Sequence, residues 1–176
     1  MNLKMLKAAL AGLVLSVSGI ANAGLIYNVD SGWQDFTWEG GVGTTSDQGG
    51  FTFELATEGL LTVVDAFAFG DEFEIWLNGS FNSVTSDVAL YAPINVGGDA
   101  DLAISSDFSQ GTVALAAGSY SVDFKLFQNG VASVDGPPFD GGKAFFKVET
   151  TSVPEPSTLA IFALGVLGLA SRRVKK

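Results

Sequence analysis

The chain has 176 residues and a formal net charge of −10, with 19 acids, nine lysines and arginines, and neither cysteine nor histidine. Those two absences exclude a cysteine nucleophile, a Ser-His-Asp triad and a metal centre built on His or Cys. The acidity sets nucleic acid aside as a partner, because phosphate backbones select basic surfaces.

Lys4 and Lys7 precede an apolar stretch of 13 residues, Ala8 to Ile20, and Ala21-Asn22-Ala23 has the small-x-small form of a cleavage site. This predicts a helical signal peptide over 1–23, with Gly24 as the first mature residue. Its handlers would be the general secretion machinery and signal peptidase. Residues 24–150 form the expected ectodomain, one domain by length. That segment holds 18 acids against Lys125, Lys143 and Lys147, a net charge of −15.

Leu25-Ile26-Tyr27 and Trp33 to Trp38 read as short strands, and Gly40 to Gly50 as a glycine-rich loop. Phe51-Thr52-Phe53-Glu54-Leu55 alternates apolar and polar, the period of a strand with one wet face. Gly59 to Phe69 is a more apolar, central strand. Phe73 to Leu77 and Ser80 to Thr85 flank Asn78-Gly79, a strong hairpin signal because a type I′ turn needs positive φ at both central residues. Asn78-Gly79-Ser80 also fits a glycosylation sequon, but the turn explains it. Asp87 to Pro93 is a further short strand. Asn95 to Gln110 is a long loop with one helical turn.

Gly111 to Leu115 and Ser119 to Phe127 are strands, the second with Tyr120, Val122, Phe124 and Leu126 on one face. Asn129-Gly130 predicts a second hairpin with Val131 to Val134 returning. Lys143 to Thr150 is the last strand, and Phe145 interrupts its polar side. Such a pattern, with 14 Phe to fill a core, predicts an all-β fold: an antiparallel β-sandwich, jelly-roll-like.

The tail, 151–176, carries Pro154-Glu155-Pro156, an apolar run from Leu159 to Ala170, and the cations Arg172, Arg173, Lys175 and Lys176. As a helix the run is only ~18 Å long at ~1.5 Å per residue. A transmembrane helix over about 157–171 still falls short of a ~30 Å hydrocarbon core. The expected anchor is thus a marginal span with a cytoplasmic basic stop.

The ectodomain offers residues for three kinds of site. The first is a cation site: Ca²⁺ takes several oxygen ligands, and Asp99 and Asp101 share one loop with Asp107. Asp71, Glu72, Asp135 and Asp140 are further loop acids. A solvated acidic surface is the alternative, and no other cofactor is expected. The second is a carbohydrate surface on Trp33, Trp38, Trp76 and Tyr91. Core packing is the commoner fate of each Trp, but Trp76 alternates with Ile75 and Leu77 and so points to the other face of its strand. The third is paired-carboxylate hydrolysis through Glu54, Glu72, Glu74 or Asp65. Charges alternating on wet strand faces account for Glu54 and Glu74, and no enzyme is expected.

Val153-Pro154-Glu155-Pro156-Ser157, the span and Arg172-Arg173 together closely resemble the PEP-CTERM sorting signal of Gram-negative bacteria. The resemblance implies recognition and cleavage by a membrane-embedded exosortase. It implies an exported protein, held transiently in the membrane by its C-terminal helix and then found at the cell surface or outside. It further implies a structural or adhesive role in biofilm matrix, with exopolysaccharide as a partner. The stretch Leu61 to Gly79 also looks like a β-rich ectodomain seen among such proteins, with no activity attached.

Overall fold

The computed structural model describes residues 24–151. They form nine strands and one short helix: β1 Leu25–Ile26, β2 Gln34–Glu39, β3 Phe51–Leu55, β4 Gly59–Asp65, β5 Glu72–Leu77, β6 Ser80–Val84, α1 Ala100–Ser105, β7 Gln110–Leu115, β8 Gly118–Gln128 and β9 Gly141–Thr150. The expected signal-peptide helix and the span at 157–171 lie outside the described residues. Within 24–151 no helix is long and apolar enough to cross a membrane.

The strands make two sheets, one ordered β1-β3-β8-β5-β6 and the other β2-β9-β4-β7. From β2 onward each strand lies in the opposite sheet from its predecessor, except that β5 and β6 share one. Their connection is the Asn78-Gly79 hairpin, with φ of 51° and 75° as a type I′ turn requires. Every paired strand is antiparallel except β1 with β3, where Leu25 faces Phe51 in parallel register. The antiparallel expectation fails at that one pair, where the two-residue β1 runs along β3 at the edge of the sheet.

Period-2 alternation decides what lies between the sheets. Phe51, Phe53 and Leu55 of β3, Val122, Phe124 and Leu126 of β8, and Ala144, Phe146 and Val148 of β9 are all buried in one cluster. Phe36 of β2 stacks on Phe124 of β8 at 4.2 Å, bridging the two sheets. Phe51 meets Phe146 at 4.6 Å, again across the gap. Fully burying each such ring is worth about 1.5–3 kcal/mol. A second cluster forms on the back of the four-stranded sheet. There α1 lays Ala100 and Ala103 against Val64, with Phe108 buried among them and Phe145 packed alongside. This explains the apolar interruptions at Val64 and Phe145: their outward face is covered.

Three further sequence expectations need correction. The fourth strand ends at Asp65, not Phe69, because the Asp65 carboxylate turns the chain by accepting the Phe67 and Asp71 N–H groups. Asp87 to Pro93 is no strand: the Val88 N–H donates to the Glu72 carboxylate and the Val88 carbonyl accepts from the Gln128 amide, so side chains occupy its ladder groups. Asn129-Gly130 makes no hairpin either. Asn129 is buried with its amide on the Phe139 carbonyl, and Val131 keeps only an isolated bridge to Pro138.

Candidate functional site

The outer face of the five-stranded sheet carries a depression walled by Trp76. Because Phe73 and Ile75 of β5 point into the core, Glu74 and Trp76 point out. Lys125 and Asp123 of β8 do the same, opposite Glu74 and Trp76 in the ladder. The Trp76 indole N–H donates to Glu74 Oε2 at 2.8 Å. Lys125 Nζ lies 3.8 Å from that oxygen and 5.9 Å from the Trp76 ring centroid. Phe81 of β6, 54 % exposed, meets Trp76 edge-on at 5.9 Å.

The 40–50 loop walls the opposite side. Its Thr44 and Ser46 pair with the backbone of β8 at Leu126 and Phe124, extending the sheet beside it. The result is a groove of about 400 Å³ lined by Thr45, Gly49, Trp76, Gly79, Asp123 and Lys125. Gly50, at φ of +94°, lets this loop press against the Asp123 carboxylate, where a Cβ would overlap it. Burial raises the Asp123 pKa from its ordinary value. Among the described residues no donor is hydrogen-bonded to that carboxylate. Further along the same face a second depression, about 490 Å³, is bordered by Thr52, Glu54, Asn78, Ser119 and Ser121.

A buried carboxylate pair sits at one end of the core. Asp65 Oδ1 accepts the Phe67 N–H at 3.4 Å and Oδ2 the Asp71 N–H at 3.3 Å. Asp71 Oδ1 accepts the Gly130 N–H at 2.8 Å. Burial, with the nearby charge of Asp71 adding to it, pushes Asp65 up to about 8. Burial pushes Asp71 up to about 6. The pair binds the 66–71 loop to the end of β8, a structural arrangement.

The residues singled out from sequence are scattered. Asp99 caps α1 by accepting the Leu102 N–H at 3.0 Å, and Asp101 accepts the Trp33 indole N–H at 3.0 Å. Lys147 Nζ lies 4.8 Å from the Trp33 ring centroid. Among the described residues no group of three or more acids gathers in a way that could hold a metal. Trp38 is in the core, 2 % exposed. Tyr91 borders a separate depression with Phe69 and Phe139. Glu54 and Glu74 lie on the outer face of one sheet, while Asp65 is buried at the end of a strand in the other. Of the sorting residues, Val153 to Ser157, Arg172, Arg173, Lys175 and Lys176 lie outside the described residues, as do Ala21 and Ala23. Sequence reasoning reached Trp76 but not Asp123, Lys125 and Phe81. The alternation along β8 places Asp123 and Lys125 outward, but their meeting with Trp76 depends on a long-range register.

Residues 152–175 match the family model described as the PEP-CTERM protein-sorting motif, so the chain carries that sorting signal. The motif implies export, C-terminal anchoring and processing by an exosortase. No curated protein matches the chain. Among solved structures, the pre-peptidase C-terminal domain of a collagenase from Bacillus anthracis is similar with a TM-score of 0.40 and 11 % identity, over 70 % of this chain and 92 % of that one.

Proposed function

We propose that this is an exported, non-catalytic protein of the cell surface or extracellular matrix that holds polysaccharide on the outer face of its five-stranded sheet. The sorting motif supports the route. The strand order of β2 to β9, two four-stranded layers with successive strands alternating between them except at the β5–β6 hairpin, supports reading the ectodomain as a β-sandwich of jelly-roll type.

One observation carries the binding reading: Trp76 stands outside the core, beside the exposed ring of Phe81 and the polar ends of Asp123 and Lys125. A sugar ring offers polarised C–H bonds on its faces and hydroxyls at its rim. The first suit the negative face of an aromatic ring, the second suit fixed charges around it. Asp65 is buried in the other sheet from Glu54 and Glu74, which favours holding over cleavage by that combination.

Two measurements test this reading. Mass spectrometry of the native protein from cell and medium fractions is expected to show a mass that ends before Lys176; an intact tail would refute processing. In native gels containing matrix polysaccharide, the protein is expected to be retarded, and Trp76→Ala to migrate freely with unchanged thermal unfolding. Equal retardation of both would remove the outer face from the proposal.

A further inference from the structure

We infer that the Trp76 groove selects uncharged sugars, with the Asp123 carboxylate as acceptor for sugar hydroxyls, and rejects uronates and sulfated chains. This deepens the glycan-holding reading and rests on it.

Three observations on the groove lead there. Asp123 lines it opposite Trp76 in the ladder, so a ring lying on the indole face has its rim near that carboxylate. Its oxygens carry no hydrogen bond from the described residues, although Gly50 packs against them and limits their access to water. A partly desolvated carboxylate gains most from new donors, and neutral sugar hydroxyls are donors. Lys125 does not offset it, because that ammonium is shared between Glu74 and the indole ring. The groove therefore presents one net negative charge to a ligand.

The rest of the domain acts in the same direction. Residues 24–150 hold 18 acids and three lysines. Lys143 is paired with Asp35 at 3.0 Å and Lys147 with Glu149 at 2.9 Å, so neither is a free anchor for an anionic chain. A polyanion would approach against this field, most strongly at low salt.

The test is native affinity electrophoresis of the secreted protein at low ionic strength. The probes are a soluble neutral glucan and a polyuronate of similar chain length. Retardation by the glucan alone is expected. Asp123→Asn should weaken glucan binding about tenfold, the size of one charge-assisted hydrogen bond. It should also narrow the gap between glucan and polyuronate. Polyuronate binding as tight as glucan binding, and lost in Trp76→Ala, would overturn the selectivity while leaving the glycan-holding face intact. Indifference to both polymers would overturn the face itself. The wild-type comparison of the two polymers decides the selectivity even if Asp123→Asn fails to fold.

Discussion

Asp71 accepts the backbone N–H of Gly130 at 2.8 Å, joining the start of β5 to the chain just beyond β8. The acceptor is 3 % exposed, so its loss leaves a buried N–H without a partner. Asp71→Ala is expected to destabilise the domain by about 1–3 kcal/mol, read by urea unfolding. A change within 0.5 kcal/mol, the size of an ordinary surface substitution, would show the bond to be incidental.

The same pair sets a pH dependence. Asp65 at about 8 and Asp71 at about 6 are both raised above 3.8, so the folded state holds protons that the unfolded state releases. Unfolding free energy should therefore fall as pH rises from about 4, at about 1.4 kcal/mol per pH unit for each such group. Both groups contribute up to about pH 6; Asp65 alone continues to about pH 8, where the effect levels off. Asp65→Asn should flatten the profile between pH 6 and 8. A wild-type profile that climbs across that interval would contradict the assignment.

Phe124 is fully buried and touches Phe36, Phe51 and Phe146. Its ring occupies the gap between the sheets, so removing it opens a cavity that neither backbone can close. Phe124→Ala is expected to cost about 3–5 kcal/mol in equilibrium unfolding.

Asp99→Ala should cost about 1 kcal/mol through loss of the cap on α1, measured by thermal unfolding. The same loss is expected in millimolar Ca²⁺ and in EGTA. A loss confined to Ca²⁺ would instead assign this carboxylate to a cation.

Gly79→Ala at the β5–β6 turn should cost about 1 kcal/mol, because φ of 75° disfavours a Cβ although nothing lies near enough to clash. Since Gly79 also borders the groove, glycan retardation is expected to weaken alongside that loss.

What the sequence made legible follows from local physics. The strands at 51–55, 73–77, 119–127 and 143–150 announce themselves through alternation, and Asn78-Gly79 through its backbone preference. Asn129-Gly130 has the same dipeptide and fails, because burial of Asn129 and the claim of Asp71 on the Gly130 N–H outweigh turn propensity. The second of these joins residues 59 apart in sequence, which no local pattern reports. The candidate site divides the same way. The outward direction of Trp76 is a property of its own strand. Its meeting with Asp123 is a property of register between β5 and β8, and Asp65 with Asp71 is a property of a buried corner.

The strand nearest the sorting signal is β9, and it lies inside its sheet rather than at an edge. Six residue pairs join it to β2 and seven to β4. Asp30 adds a clip at its far end, accepting both the N–H and the hydroxyl of Thr150. A drag force on a domain held by its C-terminus enters along this strand and is shared by ladders on both sides. The tether thus pulls on a strand braced along both edges, so the load spreads into the sheet instead of peeling an edge strand away.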